Sequence, residues 1–138
     1  MYKYYSLNRP ISIGSAPKGF IDFINYDARE RIKDTNYEAF GEVYYEERLS
    51  AKEVHDYELK EEPTQEEKNK VLEDIKELDE IYTKIEKFKP NDEKLDNTMK
   101  KISKLIKQEI IKQMNNNLIS HKEYVESIES ITEDEETL

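Results

Sequence analysis

The side chains best suited to acid–base or metal chemistry in this chain are two histidines and 32 carboxylates, and cysteine is absent. His55 and His121 fall in separate segments, and each reads as a surface residue. With so many carboxylates, some lie close together by number alone, so no pair marks a general acid and base. The three glycines, Gly14, Gly19 and Gly41, do not build a phosphate-cradling loop, and no Walker or dinucleotide-binding spacing occurs. No loop has the spacing of a calcium-binding EF-hand. Without cysteine there are no disulfides and no thiolate metal ligands. These observations predict a protein that is not an enzyme, needs no cofactor and holds no metal.

Two other constellations could bind a partner. The first is acidic: Glu66, Glu67, Glu73, Asp74, Glu77, Asp79, Glu80 and Glu86 lie along one expected helix, several of them off its apolar seam. Carboxylates arrayed on a rigid helix, with about 1.5 Å of rise per residue, can imitate a phosphate track. Glu66, Glu73, Glu77 and Glu80 are the residues expected to carry such binding. The plainer reading of the same run is a solubilising face. The second constellation is aromatic and basic: Tyr5, Arg9, Arg29 and Tyr44, among further tyrosines and arginines of the first sixty residues. Basic and aromatic side chains on one sheet face could stack nucleotides. Their plainer reading is tyrosines packed on a sheet and arginines paired with acids.

The acidic run needs a helix to hold it. Thr64-Gln65-Glu66-Glu67 has a capping-box pattern, and Val71, Ile75, Leu78, Tyr82 and Ile85 follow at heptad steps. Leu72, Ile81 and Phe88 widen the seam to an apolar arc of roughly 200°, broader than one neighbouring helix needs. Pro90 ends this helix, and Asn91 is the expected N-cap of the next. Leu95, Met99, Ile102, Ile106 and Ile110 form a second stripe, flanked by Leu105, Ile111 and Met114. The connection is short, so the two helices, 64–88 and 91–115, should fold back as an antiparallel hairpin. Asn115-Asn116-Asn117 is the expected stop. A short helix over 120–131 opens with a capping box at Ser120, with Tyr124, Val125, Ile128 and Ile131 on one face. An acidic tail from Glu133 should fray.

The aromatic constellation needs a sheet. Residues 1–60 hold eight of the ten tyrosines and all three glycines, a composition of short strands and turns. Strands are expected near Lys3–Ser6, Phe20–Asn25 and Phe40–Glu46, with a short helix capped at Ser50 and a linker at Glu61-Glu62-Pro63. Three strands cannot close a barrel, so the sheet should need cover on one face, and the wide arc of the first long helix could supply it. The expected fold is therefore α+β: a small antiparallel sheet module over 1–60, then a helical hairpin, short helix and tail over 61–138.

Charge narrows the partners. The net charge is −10, distributed as −2 over residues 1–60, −4 over 61–90, +2 over 91–116 and −6 over 117–138. Such a chain repels nucleic acid outside a local basic surface. One such surface is offered by Lys94, Lys100, Lys101, Lys104, Lys107 and Lys112 of the second helix, which are expected to pair with glutamates across the hairpin. No run of 18 apolar residues exists to span a membrane, and Met1-Tyr2-Lys3-Tyr4-Tyr5 begins no secretory signal. A cytoplasmic location is expected.

The first sixty residues also resemble a small domain found in bacteriophages and conjugative elements, a defence-against-restriction (DarA-like) related, large-polyvalent-protein-associated domain. The matching residues are Tyr4-Tyr5-Ser6, Arg9-Pro10, Gly14, Pro17-Lys18, Phe23, Asn25-Tyr26-Asp27 and Arg29. The match continues through Ala39-Phe40-Gly41, Tyr44-Tyr45-Glu46, Leu49-Ser50 and Asp56-Tyr57-Glu58-Leu59, with Phe40 standing where the family has Trp. The resemblance implies a mobile-element context and supplies no catalytic residue. Together with the acidic helix it leads to an expected function: an inhibitor of a bacterial defence nuclease of CRISPR or restriction type, with that effector as the partner. The alternatives are an adaptor that forms a homodimer through its hairpin, and a nucleic-acid binder using the tyrosine-rich sheet.

Overall fold

The computed structural model describes the backbone of residues 1–136 and the side chains of residues 1–128. The chain divides into two compact units, Met1–Thr64 and Gln65–Leu138. The fold is α+β, with an antiparallel sheet in the first unit and helices in the second.

The first unit is a four-stranded sheet of order β2-β3-β1-β4, built from β1 (Tyr2–Ser6), β2 (Asp22–Arg31), β3 (Glu38–Tyr45) and β4 (Leu59–Glu61). A short helix α1 (Ala51–Asp56) precedes β4, and its capping box is complete: Ser50 Oγ accepts from the Glu53 N–H while the Glu53 carboxylate accepts from the Ser50 N–H. Side chains alternate between faces along a strand. The registers Tyr2↔Tyr45, Tyr4↔Val43 and Ser6↔Leu59 therefore bring Tyr4, Val43, Tyr45 and Leu59 onto one face. These four form a core with Ile11 and Ala16 of the β1–β2 loop, and Phe20, Leu49, Val54 and Tyr57 pack against it. Loop and α1 thus cover this face from within the unit.

β4 is absent from the sequence expectation, which made its last residue part of a linker. β2 runs six residues beyond the expected Asn25, with a register shift between Asn25 and Glu30. A bulge of this kind bends the strand and breaks the alternation that would have revealed it.

The second unit contains α2 (Gln65–Lys87), α3 (Glu93–Asn116) and α4 (His121–Glu136). Leu72, Ile75, Ile110 and Ile119 form its core, with Val71, Leu78, Ile106, Met114 and Tyr124 against them. Ile75 is fully buried, whereas Ile81, Phe88, Leu95, Ile102, Leu105 and Ile111 of the expected stripes are exposed.

Three local expectations are corrected. Asp92, not Asn91, caps α3, its carboxylate accepting from the Lys94 N–H at 2.9 Å. Asn115 and Asn116 remain helical, the cap is Asn117, and the left-handed turn is made by Leu118 at φ 52°. Leu118 is itself fully buried, so packing of its side chain holds a conformation that Asn would adopt more readily. α4 continues through Glu136, past the expected end at 131; the side chain of Ile131 and residues Thr137 and Leu138 lie outside the described residues.

Candidate interaction surfaces

The acidic surface is built on α2. Lys68, Leu72 and Ile75 are its buried residues, and Lys68 lies 3.8 Å from Glu123 of α4. With 3.6 residues per turn, Glu66, Glu73, Glu77 and Glu80 fall within an arc of roughly 60° on the opposite side of the helix. All four are exposed. They span about 21 Å along the axis at 1.5 Å per residue. Two acids of the longer run turn away from this stripe. Asp79 accepts a 2.8 Å hydrogen bond from the Tyr124 hydroxyl of α4, and Glu86 accepts one of 2.6 Å from Ser103 of α3. Burial and the Asp79 bond both favour the neutral phenol and raise the pKa of Tyr124. Helical spacing puts Asp79 and Glu86 on the side of α2 that carries Leu72 and Ile75, although Glu86 stays exposed.

The α3 lysines do not form the expected pairs across the hairpin. Lys100 pairs with Asp96 one turn earlier on its own helix, at 3.1 Å. Lys94, Lys101, Lys104, Lys107 and Lys112 are exposed.

Tyr5 and Tyr44 share one sheet face, but the aromatic and basic residues do not form an open platform. Tyr5 is only 5% exposed. Arg9 lies on the β1–β2 loop, paired with Glu58, whose carboxyl is held below its usual range first by the Asn8 amide and then by Arg9. Arg29 pairs with Glu38 at 3.4 Å and stacks over the Phe40 ring. Tyr44 is half-buried and faces a polar network on the side of the sheet away from the core.

That network is the feature sequence reasoning missed. The register sets Lys3 beside Tyr44 and Tyr5 beside Glu42. Lys3 pairs with Glu42 at 2.7 Å, and its ammonium sits 4.8 Å from the centre of the Tyr5 ring. Burial disfavours the Lys3 charge, but hydrogen bonds to Glu42 and Tyr5 outweigh it and raise its pKa. Burial raises the Tyr5, Tyr26 and Tyr44 phenols, and Glu42 adds to the effect at Tyr26 and Tyr44. The alternation Tyr-Lys-Tyr-Tyr at the start of β1 was the available signal, since Lys3 and Tyr5 share a face only in a strand.

Several residues that carry the family resemblance have definite structural work in this unit. Asn25 clamps the β1–β2 loop: its amide oxygen accepts from the Ile11 N–H at 2.7 Å, and its amide nitrogen donates to the Ile11 carbonyl at 3.0 Å. Tyr45 donates to the Pro17 carbonyl at 2.6 Å, and Tyr4 accepts from the Leu49 N–H at 2.8 Å. Gly41 faces the backbone of Ile24 and Asn25 with no space for a side chain. Residues 1–64 match the family described as Defence against restriction A C-terminal. The Defence against restriction A C-terminal match thus coincides with the first unit, Met1–Thr64. No curated protein and no solved structure matches the chain. Among the described residues, no helix is long and apolar enough to cross a membrane, and no group of three or more His, Asp or Glu is placed to hold a metal ion.

Proposed function

We propose that this protein is a mobile-element anti-defence protein that acts by binding, without catalysis, in the cytoplasm of the bacterial host. Its target is a defence nuclease of CRISPR or restriction type. The acidic stripe of α2 occupies a basic groove that otherwise holds nucleic acid. The observation that carries this reading is the exposed row Glu66, Glu73, Glu77 and Glu80, set opposite the buried face of α2. The match of the first unit to a family named for defence against restriction supports the context.

The test is a triple reversal of Glu73, Glu77 and Glu80 to Lys. Exposed substitutions typically change stability by no more than about 0.5 kcal/mol each, so the fold should survive. Like charges brought into a basic groove cost several kcal/mol, so binding to effectors captured from the host should be lost. Capture that is equal for parent and reversed protein, or that fails to compete with guide RNA or DNA, overturns the acidic-mimic mechanism.

A further inference from the structure

The lysines of α3 take no part in the acidic stripe. With 3.6 residues per turn, Lys94, Lys101, Lys104 and Lys112 fall within an arc of roughly 80°. That arc lies on the side of α3 away from its buried residues, Ser103 and Ile110. Its other members are Asn97, Gln108 and Asn115, and the three acids of α3, Glu93, Asp96 and Glu109, fall outside it. All four lysines are exposed, and among the described residues none is held in an ion pair. From Lys94 to Lys112 the row runs about 27 Å at 1.5 Å per residue. A run of charge is usually a solvated face. The solvated face of α2, however, mixes signs, with Lys70 and Lys84 exposed among its glutamates. The lysine arc of α3 has no carboxylate, in a chain with 32 of them.

We propose that this face binds the phosphate backbone of duplex nucleic acid without reading its bases. Lysine ammonium groups meet phosphates as point charges, and amide side chains donate to phosphate oxygens as well. The arc carries no aromatic side chain on which unpaired bases could stack, which favours a duplex over a single strand. A membrane-surface helix needs a free apolar face opposite its lysines. In α3 that side is packed: Ile110 belongs to the core of the unit, with Ile106 and Met114 against it. The glutamates of α2 do not cancel the attraction. The two helices meet through their inner sides, where Ser103 of α3 donates to Glu86 of α2, so the acidic and basic faces lie on opposite edges of the hairpin. Axes about 8–10 Å apart and helix radii of about 5 Å set those faces about 20 Å apart, against a screening length of about 8 Å at physiological salt. This inference does not depend on what the α2 stripe binds.

The full chain, titrated into a fluorescently labelled DNA duplex of about 20 base pairs and followed by anisotropy, tests it. Each neutralised phosphate contributes about −0.9 to the slope of log affinity against log salt, so four contacts should give a slope of about −3.6. Lys101→Gln with Lys104→Gln should flatten the slope by about two and weaken binding at low salt roughly ten-fold. Lys70→Gln with Lys84→Gln, on exposed positions of α2, makes the same change in net charge and should leave binding as in the parent. Lys101→Arg with Lys104→Arg keeps the charge and should retain binding. Should the Lys101 and Lys104 glutamine pair alter the circular dichroism melt, Lys94→Gln with Lys112→Gln replaces it, with the same loss expected. A parent protein that does not bind the duplex at low salt overturns the proposal. So do equal losses from the α2 and α3 glutamine pairs, or phosphatidylserine vesicles that bind more tightly than the duplex.

Discussion

At the scale of single residues, Gly41 and Tyr45 show how the first unit is held. A Cβ built on Gly41 meets the Ile24 carbonyl oxygen at 2.6 Å and the Asn25 amide oxygen at 2.7 Å. Both neighbours are fixed, one by the ladder and the other by its clamp on Ile11, so neither can yield cheaply. Gly41→Ala should lower stability by about 1–3 kcal/mol, the range for an overpacked site, read from urea denaturation. Tyr45 is buried, which pushes its phenol up to about 12, and the negative charge of Glu53 adds to the shift. The unfolded phenol ionises near 10.0. The folded state therefore holds its proton longer, and its contribution is present below pH 10, lost as pH rises toward 12. Tyr45→Phe should cost about 1 kcal/mol at neutral pH by removing the bond to Pro17. It should also flatten the loss of stability above pH 10, visible as a smaller drop in urea midpoint than the parent shows.

At the scale of elements, the helices were largely legible and the strands only in part. α2 and α3 announce themselves through apolar residues at helical spacing over more than twenty residues each, although only Leu72 and Ile75 of α2 and Ile110 of α3 are buried among them. Their ends were less legible: Asn91 and Asp92 are both good caps, and only the geometry separates them. β4 was hidden because Leu59-Lys60-Glu61 is too short to show a period, and its pairing partner, β1, lies more than fifty residues earlier. The second half of β2 was hidden because an edge strand exposed on both faces has no need to alternate. The candidate acidic stripe was legible as a run, and helical spacing sets Glu66, Glu73, Glu77 and Glu80 apart from Asp79 and Glu86, which bond to Tyr124 and Ser103. The core of the second unit gives an element-scale prediction. Ile75 has no exposed surface, and Ile75→Ala should destabilise the unit by about 2–5 kcal/mol. Thermal melts followed by helical circular dichroism measure it.

At the scale of the whole molecule, charge is the dominant descriptor. The net charge is −10 and the isoelectric point about 4.8, yet the segment containing α3 carries a local excess of two positive charges. A field of this strength steers a basic partner over distances beyond contact. The association rate with such a partner should therefore fall steeply as salt rises, while the dissociation rate changes less, because screening acts mainly on encounter. Surface plasmon resonance across a salt series tests this; a rate constant of association indifferent to salt would count against charge-driven recognition.

The order β2-β3-β1-β4 also sets a schedule for synthesis. β1 is made first, but it lies inside the sheet, where Tyr2 waits for Tyr45 and Tyr4 waits for Glu61. By contrast, Glu86 and Ser103, which meet across the α2–α3 hairpin, are 17 residues apart. Contacts between distant residues form slowly, because a long loop must close before any pairing rewards it. The first unit should therefore fold more slowly than the hairpin. A nascent chain arrested before Leu59 holds β1 with one flank open, and that interval is when the unit is most exposed to misassembly.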